Sequence, residues 1–410
     1  MDTLNLFTTA LNLDEPWTVS DVNFLETDKG MELHIYIGFT KGGQFSCPVD
    51  NCQETATAYD TTRRTWRHLN FFQYKTFIHA DLPRTKCPDH GVQTVHVPWA
   101  RPGSGFTLLF EGWVVELAKH LTVSRIAKMI DEHDTRLWRF IKHYVNEARE
   151  LEDYSDVTAI GIDETSKKGH NYITVAVDLE QRKVINVTPG KDSKTVDNFV
   201  EDFKKHGGNP GMINIITCDM SLGFKKGIKE NFKNSNTVID KFHVVKHANE
   251  AVDKVRKEEV KTNSVLKKTK YIWLKNDNNL SEYQKKKKFN LSKLNLKTSR
   301  AYNMCLALQG IYESCATVEQ ATEGFKKMCS WMMHSRLEPM KAFAKTIRNH
   351  WEEILNYFRF RYTNAILEGM NGIIQNIKTR AKGFRNDEYF KTLIYLVCGK
   401  LELESVAKMG

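Results

Sequence analysis

The 410-residue sequence has no run of about 18 uninterrupted apolar residues, so no membrane-spanning helix and no membrane partner are expected. Its start, Met1-Asp2-Thr3, carries neither the basic residues nor the apolar run of a secretory signal, which predicts an intracellular chain. Cysteine is scarce. The 8 residues, at positions 47, 52, 87, 218, 305, 315, 329 and 398, are too sparse for a disulfide scaffold. A metal site or buried thiols are the expected uses. Internal repeats are lacking too, so nothing points to a solenoid. What remains is an ordinary globular composition, 41% apolar and 27% charged, long enough for two or three domains.

Charge excess is absent from most of the chain. The net charge is +10, and the stretch Arg256–Arg300 holds 14 Lys/Arg against 4 Asp/Glu. That block accounts for the whole surplus. A local basic block fits a polyanion, nucleic acid above all, or else a solvated lysine-rich insert.

The pattern changes along the chain. Residues 17–39 read as a β-hairpin around Thr27-Asp28-Lys29-Gly30. Residues 45–99 are rich in Cys, His and aromatics with little helical period, and Arg101-Pro-Gly-Ser-Gly105 reads as a linker. Over 106–150 three apolar stripes follow: Val114/Leu117/Ala118/Leu121, Ile126/Ala127/Ile130 and Leu137/Phe140/Ile141/Val145. Thr122, Ser124 and Asp134 are candidate caps. Three short helices are the size of a helix-turn-helix unit, whose last helix carries Arg136, Arg139, Lys142 and His143. From 157 three strands, then helix, strand, helix, strand and helix, indicate a mixed α/β domain. Residues 257–345 read as basic and mostly helical, and 351–380 as strong helix.

Four constellations carry chemistry. Cys47-Pro-Val-Asp-Asn-Cys52 and Cys87-Pro-Asp-His90 are two ligand pairs spaced for one closed, structural zinc ion, with His96 as an alternative to His90. Gly161-Ile-Asp163-Glu164-Thr165 is an apolar strand ending in carboxylates, only one of which can face a site, since strand neighbours alternate. Ile213-Asn-Ile-Ile-Thr-Cys-Asp219 is a second such strand. On the helix 363–380, Ile366, Met370, Ile373 and Ile377 form the expected buried stripe. Asn364, Glu368, Asn371, Gln375 and Lys378 fall on the opposite face, with Glu368 central. Lys378, Arg380, Lys382 and Arg385 are candidate phosphate contacts or, equally, helix C-terminal basic residues.

Gly161-Ile-Asp-Glu-Thr-Ser166, Asp240-Lys-Phe-His-Val-Val-Lys-His-Ala-Asn-Glu250, Thr363-Asn-Ala-Ile-Leu-Glu-Gly-Met-Asn371 and Ile377-Lys-Thr-Arg-Ala-Lys-Gly-Phe-Arg-Asn386 together resemble the insertion-sequence transposases of the ISL-three family. The resemblance covers roughly residues 45–400. It implies an α/β fold, an RNase-H-like mixed-sheet core interrupted by a helical insertion and preceded by a zinc-binding module and a helix-turn-helix. The expected layout is a β-hairpin region 1–44, a zinc module 45–100 and a helix-turn-helix region 106–150. The core follows over 155–256, then the basic insertion 257–345 and the remaining core helices 346–400.

The resemblance further implies an Asp163, Asp219, Glu368 triad holding two Mg²⁺ (or Mn²⁺) ions. The 148 residues between Asp219 and Glu368 then contain the insertion. Two divalent ions about 4 Å apart can activate an oxygen nucleophile and stabilise the leaving oxygen at one phosphorus. The implied reaction is cleavage at the element ends followed by attack of the freed 3′-OH on target DNA. Expected partners are DNA, as terminal inverted repeats and target, and a second copy at synapsis. The expected place is the bacterial cytoplasm at the nucleoid. The competing readings are a non-catalytic DNA-binding regulator of transposase origin and a metal-dependent nuclease of the same fold. His243 is a candidate phosphate contact or core histidine, while Asp178, Asp192 and Asp240 stay outside the triad.

Overall fold

The computed structural model describes residues 2–28, 30–168, 171–275, 279–363 and 365–403. Lys29 of the expected turn, Asn364 of the polar stripe and residues 276–278 of the basic stretch lie outside them. The chain divides after Glu150 into two compact units. Among the described residues no helix is long and apolar enough to cross a membrane.

The first unit opens with α1 (Thr3–Ala10) and the hairpin β1 (Trp17–Thr27) and β2 (Gly30–Phe39). A two-residue pair, β3 (Phe45–Ser46) and β4 (Thr55–Ala56), precedes a long hairpin, β5 (Ala58–Phe71) and β6 (Tyr74–Cys87), and then β7 (Gly91–Thr94). The two long hairpins join in one sheet of order β1-β2-β6-β5, with β2 parallel to β6 and β7 beside β6. Leu33, Ile35, Ile37, Ile78 and Ala80 alternate inward and build its core. Thus segment 17–39 and the Cys/His-rich segment share a sheet.

Three helices follow, α2 (Leu108–His120), α3 (Val123–Ile130) and α4 (Asp134–Glu150). Thr107 and Thr122 cap the first two by accepting from Phe110 N and Arg125 N. Ser124 instead lies inside α3. The segment read as a linker is packed. Buried Glu111 accepts from Arg101 at 2.9 and 3.1 Å, from Ser104 at 2.6 Å and from Tyr144 at 2.6 Å. A buried carboxylate held by four donors fixes 101–105 against α2 and α4.

The second unit contains β8 (Ala159–Lys168), β9 (Asn171–Asp178) and β10 (Lys183–Pro189), then α5 (Ser193–Lys205), β11 (Ile215–Cys218), α6 (Leu222–Asn231), β12 (Asn236–Ile239) and α7 (Lys241–Val260). The sheet order is β10-β9-β8-β11-β12, antiparallel over the first three strands and parallel from β8 to β12. Ile160, Ile162, Ile216 and Cys218 pack with Val196, Phe199 and Phe224 of α5 and α6 on one face. Ala159 and Ile215 belong to a separate cluster on the other.

Next come α8 (Lys270–Leu274), α9 (Glu282–Ser292), α10 (Lys297–Ser314), α11 (Val318–Met333), α12 (Glu338–Asn349) and α13 (Trp351–Phe360). These helices share a core with α7 that includes Val252, Leu308, Phe325, Met340 and Phe358. The basic stretch is therefore rooted in a packed helical body and is not a loose insert. The described chain ends with α14 (Ala365–Arg380) and α15 (Asp387–Cys398), with Tyr395 Oη accepting from Val187 N on β10.

Candidate zinc centre and carboxylate site

Two hairpin turns in the first unit bring sulfur and nitrogen donors together. Cys47 follows β3 and donates its backbone N–H to Glu54 O, which folds Cys52 back toward it. Cys87 ends β6, and His90 sits in the next turn, before Gly91 at φ +70. The ligand atoms of Cys47, Cys52, Cys87 and His90 all lie within 4.8 Å of one another, the only such cluster of at least three donors among the described residues. His90 Nδ1 is 3.5 Å from Cys87 Sγ and 3.7 Å from Cys47 Sγ. Burial pushes the Cys87 thiol up, but hydrogen bonds headed by His90 outweigh it and hold it at about 7. Three thiols and an imidazole in this arrangement suit tetrahedral Zn²⁺. His96 is not in the cluster.

On α4, Arg139 is exposed and Lys142 half-buried. Arg136 is engaged within the unit. It donates to Glu132 Oε2 at 2.5 Å, and its guanidinium lies 4.3 Å from the centre of the Phe106 ring.

In the second unit, strand alternation determines where Asp163 points. Ile160 and Ile162 face α5 and α6, so Gly161, Asp163 and Thr165 face the other way, toward α14. Strand β11 runs parallel to β8 with Thr217 opposite Gly161, so Asp219 and Asp163 each stand two residues beyond one ladder pair. Asp219 Oδ1 accepts from Ser221 N at 2.8 Å, the turn that starts α6.

Helix α14 docks differently from the expected stripe. Leu367, Ile374 and Ile377 are buried, Ile366 and Met370 only half-buried, and Ile373 is 42% exposed. The polar residues face the sheet instead. Asn371 Nδ2 donates to Asp163 Oδ2, Gln375 Nε2 to Thr165 Oγ1, and Lys378 Nζ to the Ser166 carbonyl, each at 2.6 Å. Each donor meets an acceptor, so polar side chains can dock without a desolvation penalty left open. Gly161 permits the close approach, because a Cβ there would lie 2.7 Å from Leu367 Cδ1. Glu368 follows Leu367 and is exposed at the edge of this contact. Lys378 is committed to β8, whereas Arg380, Lys382 and Arg385 are exposed.

The electrostatics tie these groups together. Burial, with the charge of Asp219 adding to it, pushes the Asp163 carboxyl up to about 6 against the N–H of Glu164 and the amide of Asn371. Partial burial raises Glu368, and the charges of Asp240 and Asp163 raise it further. Burial also raises Glu164, which lies 3.9 Å from Lys191 Nζ. The three carboxyl oxygens do not gather within 4.8 Å as the zinc ligands do. Asp163 is the group whose field links the other two.

Sequence reasoning set Asp240 aside and left His243 open, yet both act on this site. Asp240 caps α7, is 5% exposed, and its charge acts on Glu368 ahead of that of Asp163. Burial lowers His243, against the charges of Asp219, Asp240 and Glu368. The available signal is Asp240-x-x-His243 at the start of the helix after β12, next to the strand β11 that leads into Asp219. Asp178 and Asp192 serve local turns and caps, accepting from Glu180 N and Gln181 N and from Thr195 N respectively.

Residues 43–90 match the zinc-finger of transposase IS204/IS1001/IS1096/IS1165, and residues 95–145 the helix-turn-helix domain of transposase family ISL3. The chain is 23% identical over 432 residues to the transposase for insertion sequence element IS1557 of Mycobacterium tuberculosis, covering 97% of this chain and 96% of that one. It is 25% identical over 379 residues to the transposase for IS1001 of Bordetella parapertussis, covering 88% and 91%. The Drosophila P element transposase strand transfer complex overlaps 73% of this chain and 93% of that chain at 12% identity, with a TM-score of 0.39, too low to argue fold from. Residues 160–394, more than half of the chain, match the transposase domain of the same family, so the chain belongs to the ISL3 family of transposases.

Proposed function

We propose that this chain binds the terminal inverted repeats of an insertion sequence and cuts and joins DNA at a site built from Asp163, Asp219 and Glu368. The observation that carries the reading is geometric: Asp163 and Asp219 stand two residues beyond one ladder pair of neighbouring parallel strands, and the helix of Glu368 docks on Asp163 through Asn371. Like charges placed so are costly unless a cation joins them. The donors are all carboxylate oxygens, the hard set that Mg²⁺ or Mn²⁺ takes. When bound, two such ions would supply an activated oxygen nucleophile and neutralise charge on the leaving oxygen.

The chain's own groups would prepare that chemistry. Asn371 and the Glu164 N–H fix the Asp163 carboxyl by one donor on each oxygen, at 2.6 and 2.8 Å. The contacts of Asn371, Gln375 and Lys378 with β8 set the height of Glu368 along the strand. Arg139 and Lys142 on α4 would meet the element ends, along with Arg136 if it leaves Glu132. Arg380, Lys382 and Arg385 would meet phosphates near the cut. Cys47, Cys52, Cys87 and His90 would hold one structural Zn²⁺. Joining two ends calls for two copies of the chain at the nucleoid.

The test is cleavage and joining of a duplex carrying the inverted repeats that flank the gene, with Mg²⁺ or Mn²⁺. Asp163→Asn and Glu368→Gln are expected to abolish product while gel shift of the ends persists. Cleavage retained by either variant overturns the triad.

A further inference from the structure

The second unit exposes few aromatic side chains, and they are not scattered. Among its described residues six stand exposed, and four of these, Phe242, Tyr271, Tyr283 and Phe289, lie along or beside the lysine-rich stretch. Tyr271 is 61% exposed, Tyr283 73% and Phe289 61%. Lysines accompany the rings: Lys270 Nζ lies 5.6 Å from the Tyr271 ring centre, Lys287 6.0 Å from that of Tyr283, and Lys293 4.2 Å from that of Phe289. Helix α9 buries only Leu291, so packing does not account for its aromatics.

A groove leads up to this surface. It encloses about 490 Å³ and is lined by Phe242, Lys246, Lys254, Lys257 and Lys270, together with Glu250 and Asp253. The four lysines outnumber the two carboxylates. Asp253 pairs with Arg256 at 2.7 Å and Lys257 at 3.2 Å, and Glu250 with His247 at 3.4 Å. The positive charge of Lys246 acts on Asp163. The groove therefore begins within electrostatic reach of the carboxylate site and continues to α8, the helix of Tyr271.

Duplex phosphates need only the lysines. Exposed rings beside cations are the means by which proteins hold unpaired strands, since bases stack on the rings and lysines track the phosphates. We propose that the groove and α8–α9 bind single-stranded DNA, with Tyr271, Tyr283 and Phe289 as stacking platforms. The occupant that fits is a strand separated from its complement beside the cutting site. The position of that strand rests on the cutting site proposed above, whereas the binding surface itself does not, and Asp163→Asn keeps any cleavage by that site out of the binding measurement.

The experiment uses full-length protein carrying Asp163→Asn and measures binding of a 20-nucleotide oligo-dT and of a 20-base-pair duplex by fluorescence anisotropy. Replacing Tyr271, Tyr283 and Phe289 together by Ala is expected to weaken oligo-dT binding at least ~10-fold and to leave duplex binding within ~2-fold. Replacing Lys285–Lys288 by Gln is expected to weaken both. The conservative set Tyr271→Phe, Tyr283→Phe and Phe289→Tyr should retain single-strand affinity. Independently of any variant, an oligonucleotide bearing 5-iododeoxyuridine should crosslink on irradiation to one or more of the three rings. Unchanged oligo-dT binding in the Ala variant, equal loss for duplex, or crosslinks confined to the first unit would each overturn the proposal.

Discussion

Gly161→Ala tests the docking that places Glu368. The added methyl would lie 2.7 Å from Leu367 Cδ1, 2.9 Å from Leu367 Cγ and 3.0 Å from Leu179 Cδ2. No ordinary carbon contact is that short, so strand and helix must separate. Overpacking of this kind costs about 1–3 kcal/mol. Removing a glycine's freedom in the unfolded chain returns only ~0.4–1 kcal/mol, so the strain wins. Leu367 is 1% exposed, and Leu367→Ala alone should cost about 2–5 kcal/mol. In the double variant the methyl added on β8 enters the space that the Leu367 side chain vacates. The double variant should therefore be more stable than the sum of the single effects implies, with a coupling on the order of 0.5–3 kcal/mol. Urea titrations of the four proteins, followed by circular dichroism through the transition of the second unit, measure this. Because Glu368 directly follows Leu367, Gly161→Ala should also lower strand cleavage while end binding persists. Additive stabilities, or a Gly161→Ala protein unchanged in both assays, would refute the close approach of α14 to β8.

Two further predictions concern charge and metal. Asp163 has a carboxyl raised to about 6, so its contribution to metal-free stability is fully present below about pH 4 and is lost as pH rises through 6. Asp163→Asn in EDTA should match the parent at pH 4 and exceed it at pH 7.5 by at most ~3 kcal/mol. Thermal melts that show the variant less stable at pH 7.5 would contradict this. Stripping zinc with a strong chelator, or Cys87→Ser, should release one equivalent of Zn²⁺ to a colorimetric indicator and unprotect the amides of β3, β4 and β7 to hydrogen exchange. Amides of α7 and α10 should keep their protection, and zinc release without local deprotection would count against a structural role.

Much of the layout was legible because it depends on local patterning. Apolar runs ending in carboxylates, Val157–Asp163 and Ile213–Asp219, mark two strands of the core sheet, and the Cys47/Cys52 and Cys87/His90 pairs each close within one turn. Stripes at helical spacing marked α2 to α4. Thr122, a residue that competes for backbone donors, stood where α3 needed a cap. The long hairpin β5–β6 was less visible, because most of β5 is exposed and shows no alternation of buried and exposed positions.

What failed has one physical origin. Periodicity infers burial from apolar side chains, so it puts Ile366, Met370, Ile373 and Ile377 on the packed face of α14 and Asn371, Gln375 and Lys378 on the opposite face with Glu368. In the fold those three are the docking groups, because the Asp163 carboxylate, the Thr165 hydroxyl and the Ser166 carbonyl offer matching acceptors. A surface that binds through hydrogen bonds reads as solvated until its partner strand is known. The same holds for Asp240, whose local duty as cap of α7 hid the action of its charge on Glu368. At this candidate site the polar side chains have partners far along the chain, Asp163 and Asn371 being 208 residues apart. Period and capping rules cover a few turns and so locate the elements. Which polar face meets which strand is decided by complementarity between groups that no local window contains together.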